Sequence, residues 1–258
     1  MNDTHRLQFT RKGSGYPLVM QHGYFGSHEL WQAQIDYFAD FYDVITPDLS
    51  GFGLSAGLEA PESIDECADR VFELLDHLGI DEFALMGHSM GGMVVQQMAL
   101  QQPSRVTQLI CFGTGPVGLL PDRFETLDES RQRIRSEGLQ TAAQRIAATW
   151  FMDGEKHPGY AICERVAAAA TEQAALACLT AWENWNVVER LGEIESACLV
   201  IWGDHDRSYG WPQPEALWRN IPGAHLAVLP GCAHNAHMEK PALFNALVHD
   251  FLREQLGE

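Results

Sequence analysis

Ser89 is the residue of this chain best placed to act as a nucleophile. It is the centre of Gly87-His88-Ser89-Met90-Gly91, after the apolar run Phe83-Ala84-Leu85-Met86 and before the helical run Met93 to Leu100. Gly-x-Ser-x-Gly between a strand and a helix is a mechanical arrangement. The sharp turn holds its central residue in a strained backbone conformation and pushes that side chain clear of the sheet. Glycine at 87 and 91 lets strand and helix pass where a Cβ would collide. The hydroxyl then lies beside a helix N-terminus, whose N–H groups favour developing negative charge.

A nucleophilic serine also needs a base, an acid to orient the base, and donors for an oxyanion. The strand pattern His225 to Leu229 runs into a loop ending at His234, just before the last helix opens. A histidine there is free to point at the carboxyl edge of the sheet. His237 is its rival and is expected to line the helix start or the pocket wall. His88 adjoins Ser89, but neighbouring side chains diverge at such a turn. For the acid, the strand Cys198 to Trp202 is followed by Gly203-Asp204-His205-Asp206. Asp204 suits tying down its own turn through backbone N–H groups, whereas Asp206, further into the loop, can reach a histidine. The strand Leu109 to Thr114 is followed by no Asp or Glu through Leu120, which removes a competing place for the acid. Near the N-terminus, the strand Pro17 to Gln21 ends in His22-Gly23-Tyr24-Phe25-Gly26. Gly23 permits a turn that aims the Tyr24 N–H inward, so Tyr24 and Met90 supply two backbone donors. Losing one such donor typically costs ~10²–10³ in turnover. His22 reads as a brace for this loop. The predicted catalytic set is Ser89, Asp206 and His234, in that chain order.

These motifs resemble the α/β-hydrolase fold superfamily, in particular its capped serine hydrolases of the esterase and enol-lactonase kind. The likeness runs through His22-Gly23, Trp31, Pro47 to Ser55, Gly87 to Gly91, Gly203 to Asp206 and His234 to Pro241. Ala233 departs from the glycine that often precedes the histidine. The resemblance implies an α/β fold: an eight-stranded, mostly parallel sheet, helices on both faces, and a site outside the strands' carboxyl ends. It also implies cleavage of a small ester or lactone through an acyl-enzyme, with neither a metal nor an organic cofactor. Relatives that open epoxides or carbon–halogen bonds use a carboxylate nucleophile, and Ser89 argues against both. Carbon–carbon hydrolases of ring-cleavage products typically carry Gly-Pro-Gly and asparagine after the first His-Gly, and tryptophan after the histidine. Here Phe25-Gly26-Ser27 and Asn235 stand at those places, so that activity is the second reading. Receptor-like members and cofactor-independent oxygenases of the same fold are further alternatives.

The elements that must position these residues follow from periodicity. Residues 29–41 place Leu30, Ile35, Phe38 and Phe41 on one face; residues 62–78 do so with Ile64, Cys67, Val71, Leu74, Leu75 and Leu78, and stop at Gly79. Strands and helices alternate, which signals a parallel sheet. The stretch from Thr114 to Cys198 breaks the alternation with four helical patterns, at 123–137, 139–151, 161–170 and 172–184. Residues 115–190 are therefore read as a helical cap, and 1–114 with 191–258 as the core. Tyr24, Phe25, Trp150, Phe151, Met152, Trp182, Trp185 and His237 are the candidate pocket residues. Arg123, Arg145 and Arg165 could meet an anionic substrate from the cap, but solvation at the surface is the expectation for each. A formal charge of −18 disfavours nucleic acid as a partner. Met1 to Tyr16 carries charges and no long apolar run, so neither a secretory signal nor a membrane span is expected and a cytoplasmic location is. Cys67, Cys111 and Cys198 read as reduced core residues. No heptad or exposed seam marks an oligomer interface.

Overall fold

The computed structural model describes residues 6–120 and 123–256. Its elements begin with β1 (Phe9–Gly13), β2 (Tyr16–Gln21), α1 (Gln32–Phe38), β3 (Tyr42–Pro47) and α2 (Ile64–Leu78). Then come β4 (Phe83–His88), α3 (Met90–Gln101) and β5 (Val106–Phe112), and after them four helices: α4 (Leu127–Glu137), α5 (Leu139–Ala148), α6 (Tyr160–Ala168) and α7 (Glu172–Glu183). The chain closes with β6 (Ala197–Gly203), α8 (Pro212–Asn220), β7 (His225–Leu229), α9 (Ala236–Glu239) and α10 (Pro241–Leu256).

The sheet has the order β1-β3-β2-β4-β5-β6-β7, antiparallel only between β1 and β3. Among the described residues it has seven strands, not the eight that the family resemblance implied. The central strands are apolar on both faces, as a parallel sheet covered by helices requires. Along β4, Phe83 and Leu85 enter one buried cluster while Ala84 and Met86 enter the other; Val19 against Leu18 and Met20 in β2 divides the same way. The period of two thus sorts side chains between two helical layers. One layer, under α1 and α10, is filled by Trp31, Phe38, Phe112 and Phe244. The other holds α2 and α3.

Local signals explain the helix limits. Ser63 caps α2 by accepting the Glu66 N–H, and Gly79 ends it at φ 68°. The helix expected through residue 41 ends at Phe38 instead, so Phe41 lies beyond it, half exposed, against His249.

The strands place the chemistry at one edge. The chain goes from β2 to β3 on one side and then crosses to β4 on the other, so the order reverses beside β2. Gln21 at the end of β2 pairs with Gly87 of β4, so the loops after both strands open at the same level. Crevices at such reversals are where open α/β sheets bind ligands.

The segment between β5 and β6 leaves and rejoins the core at one point. Val117 bridges Asn186 in antiparallel fashion, Gly118 N–H donates to Trp185 O (3.0 Å) and Val187 N–H donates to Pro116 O (2.9 Å). Its helices rest on the loops after β2 and β3: the Tyr24 hydroxyl donates to Ala175 O at 3.2 Å, and Gln173 exchanges two hydrogen bonds with Ala60. No helix among the described residues is long and apolar enough to cross a membrane.

Candidate active site

Ser89 occupies the turn between β4 and α3 with φ 57° and ψ −123°, a region that L-residues seldom adopt. Its surroundings hold it there. The Ser89 N–H donates to Phe112 O (3.0 Å) and its carbonyl accepts from Thr114 Oγ1 (2.7 Å), so the end of β5 grips both sides of the residue. A Cβ on Gly87 would lie 2.3 Å from Gly91 O, and one on Gly91 would lie 2.4 Å from Gln21 O. Both glycines are needed for close passage.

The loop after β2 abuts the serine. A Cβ on Gly23 would sit 2.7 Å from Ser89 Cβ and 3.3 Å from its Oγ. Gly26 N–H closes a turn onto Gly23 O at 3.0 Å, and Phe25 takes φ 57° within it. Tyr24 is thereby carried next to Ser89. Met90 is the first residue of α3, so its N–H has no intrahelical acceptor.

His22 braces this loop. Its Nε2 accepts from the Leu49 N–H (2.9 Å) and its Nδ1 donates to Gly23 O (2.8 Å), which fixes a neutral tautomer. Burial lowers its pKa, against the pull of Asp48. Asp48, also buried, accepts from the N–H groups of His28 (2.6 Å) and Leu54 (2.8 Å), tying the loop after β3 to the loop after β2.

His234 and Asp206 meet directly. Nδ1–H of His234 donates to Asp206 Oδ2 at 2.8 Å, leaving Nε2 as the acceptor nitrogen. Asp206 Oδ1 accepts from the N–H groups of Ser208 (2.7 Å) and Tyr209 (3.1 Å), which fixes the carboxylate plane. Asp204 instead accepts from Gly231 (2.6 Å) and Cys232 (3.2 Å), joining the loops after β6 and β7. Gly113, at φ 53°, leaves room for the imidazole: a Cβ there would lie 3.3 Å from His234 Nδ1. His88 donates from Nε2 to His234 O (3.1 Å) and packs on its ring at 4.4 Å. Burial, with His234 and His237 alongside, holds His88 well below the usual imidazole value.

Ser89 and His234 face one tight cavity of about 10 Å³, room for roughly a single water. Of the candidates named from sequence, Tyr24, Trp150 and Trp182 line it. The others do not, because their side chains are spent elsewhere. Phe25 is buried against the Tyr24 ring, Phe151 stacks on His157, and Trp185 Nε1–H reaches Gln97 Oε1 at 3.4 Å. Met152 is exposed. His237 is the clearest correction: its ring turns away from the cavity, into Trp31 (4.8 Å), Phe112 (5.3 Å) and Phe244 (6.0 Å). Burial pushes its pKa down to about 3.

Sequence reasoning missed Tyr209, Ser208, Phe124 and Ile146 on the cavity wall. It also assigned Arg123 to solvent, where the structure puts it on that wall, half-buried. Tyr209 stacks on His234 (5.7 Å, 13°); an aromatic residue three positions after the acid was the available signal. Arg165, by contrast, is exposed and paired with Glu29. Among the described residues, no group of three or more His, Cys, Asp or Glu side chains is arranged to hold a metal ion.

Comparison with known proteins agrees with this architecture. Residues 16–155 match the family model described as alpha/beta hydrolase fold. The chain is 31% identical to 3-oxoadipate enol-lactonase 2 of Acinetobacter baylyi, covering 87% of this chain and 84% of that protein. It is 30% identical to the 2-hydroxy-6-oxo-6-phenylhexa-2,4-dienoate hydrolase of Burkholderia cepacia, over 96% and 91%. Among solved structures, a thermophilic esterase from Thermogutta terrifontis superposes with a TM-score of 0.86 at 28% identity, over 96% and 93%. The chain belongs to the α/β hydrolase fold family.

Proposed function

We propose that this protein is a serine hydrolase that cleaves a carboxylic ester or lactone through an acyl-enzyme. One observation carries the reading: strained Ser89 shares a cavity with His234, whose Nδ1–H is held by Asp206 at 2.8 Å. His234 Nε2 takes the Ser89 proton as Oγ attacks the carbonyl carbon. The tetrahedral oxyanion lies against the N–H groups of Tyr24 and Met90. His234 passes the proton to the leaving oxygen; then, as base again, it activates the water that splits the acyl-enzyme. Asp206 holds the tautomer and stabilises the imidazolium without taking the proton.

In this reading residues 115–190 form a cap over the site, hinged where residues 116–118 pair with 185–187. The similarity to an enol-lactonase and an esterase supports ester or lactone chemistry. The likeness to the Burkholderia cepacia hydrolase favours a second reading, hydrolysis of a carbon–carbon bond in a ring-cleavage product. Asn235, where those enzymes typically have tryptophan, weighs against it.

The test is hydrolysis of 4-nitrophenyl butyrate by the wild type and Ser89→Ala. Turnover that falls at least ~10³-fold supports the assignment. Near-normal turnover in a folded Ser89→Ala protein refutes it.

A further inference from the structure

The cavity wall around Ser89 is rich in donors and poor in acceptors. Trp182 Nε1 is buried and faces the Tyr209 hydroxyl without completing a hydrogen bond of good geometry, and indole N–H can only donate. The Tyr209 hydroxyl is also buried; it lies close to Ser89 and Trp182 but completes no hydrogen bond with good geometry. Buried polar groups in native structures are rarely left unpaired, and one that is calls for an explanation. Two such atoms on a single wall, beside a nucleophile, are explained by a ligand that brings acceptors.

Arg123 shows what kind of acceptor. Its guanidinium is clamped between the Phe124 ring (4.7 Å) and the Trp182 ring (5.1 Å). Nη1 donates to Glu125 O (2.9 Å) and Ser130 Oγ (3.0 Å), which fixes the orientation. Yet among the described residues Arg123 forms no ion pair. The nearby Glu125 carboxylate is taken up by Arg145 at 2.6 Å, by the Ser130 hydroxyl at 2.5 Å and by Arg133 at 3.4 Å. Asp206, the acid nearest Tyr209, is committed to His234. Arg123 therefore faces the cavity that Ser89 and His234 share with no ion-pair partner among the described residues, the Glu125 charge acting on it only from alongside. Together with Ser208 it also borders a second, adjoining crevice lined by Leu120, Gly210 and Gln213. The chain's charge of −18 works against collecting anions from a distance, so recognition falls to these short contacts.

We infer that the ester or lactone substrate carries a carboxylate, seated on Arg123 with Trp182 Nε1 and the Tyr209 hydroxyl completing its partners. This rests on the serine-hydrolase reading for the position of the scissile carbonyl, but the carboxylate site can be tested without turnover. In a Ser89→Ala background, binding of succinate, glutarate and adipate is measured by calorimetry, with the corresponding diamides as neutral controls. At least one dicarboxylate is expected to bind ~10-fold or more tightly than its diamide. Adding Arg123→Met removes that difference, since a hydrogen bond to a charged partner typically carries a factor of ~10–100. Where Arg123→Met does not fold, Trp182→Phe removes one donor and lowers dicarboxylate affinity ~3–10-fold. Equal binding of dicarboxylates and diamides, or affinity indifferent to these substitutions, overturns the inference.

Turnover supplies the second arm. The ratio of kcat/KM for 4-nitrophenyl hydrogen glutarate to that for 4-nitrophenyl pentanoate should exceed ~10 in the wild type and drop at least ~10-fold in Arg123→Met. A wild-type ratio near one contradicts the carboxylate site. Ester turnover that survives Ser89→Ala contradicts the serine-hydrolase reading instead, and leaves the binding result standing on its own.

Discussion

Asp206→Asn tests the orientation of the base. The carboxylate has two distinct edges: Oδ1 accepts from Ser208 and Tyr209 at 2.7 and 3.1 Å, and Oδ2 faces His234 Nδ1 at 2.8 Å. An asparagine keeps its oxygen on the two backbone N–H groups and turns its NH₂ toward His234. The imidazole must then accept at Nδ1 and carry its proton on Nε2, where it cannot deprotonate Ser89. Flipping the amide restores the useful tautomer but sets NH₂ against two backbone donors. Those two lost bonds cost about 1–3 kcal/mol each, or roughly 2–6 kcal/mol together. That range corresponds to a ~30- to ~10⁴-fold loss of turnover. Asp206 and His234 are both buried, which places the effect at the upper end, near the ~10⁴ of the same exchange in other triads. The assay is kcat on 4-nitrophenyl butyrate with circular dichroism as the folding check, and Asp204→Asn as the comparison. A loss below tenfold in folded Asp206→Asn, or a larger loss in Asp204→Asn, refutes the reasoning.

Other outcomes follow from single features. Ser89 is strained at φ 57° and ψ −123°, so Ser89→Gly should be more stable than Ser89→Ala by about 1 kcal/mol in urea unfolding; equal stability would argue against strain. Burial lowers the folded-state pKa of His237 to about 3, while the unfolded chain titrates near 6.5. The unfolded state therefore binds the extra proton, and stability falls as pH drops from about 6.5 toward 3, by up to about 1.4 kcal/mol per unit. In thermal melts between pH 7 and 5, His237→Gln should show a shallower decline than the wild type. Glu239 accepts from Met152 N–H (2.7 Å) and Ala233 N–H (2.6 Å), linking the helical segment to the His234 loop. Glu239→Ala should lower stability by about 1–3 kcal/mol and reduce turnover; an unchanged melting temperature would contradict that link.

What the sequence made legible was local or ordinal. Each strand that ends at the site is an apolar run closed by a loop, and the chain order of Ser89, Asp206 and His234 singled out the partners. Asp204 and Asp206 could be told apart because one follows its strand directly and the other lies deeper in the loop. Side-chain direction was not legible. His237 sits on the single turn α9, and where its ring points is decided by how α10 packs Phe244 beneath it. Arg123 comes to the cavity from the segment after β5 and Tyr209 from the loop after β6, a long-range convergence that periodicity does not encode. Phe41 fitted the apolar face of a helix that in fact stops at Phe38, where the tertiary structure overrides the pattern.

The most direct test of the central claim is to trap the acyl-enzyme. The wild type is quenched with acid during turnover of 4-nitrophenyl butyrate, digested and read by mass spectrometry. The expected result is a butyryl increment on the peptide containing Ser89, absent from Ser89→Ala. An unmodified Ser89 peptide during steady turnover, or an acyl group on another residue that survives in Ser89→Ala, would contradict it.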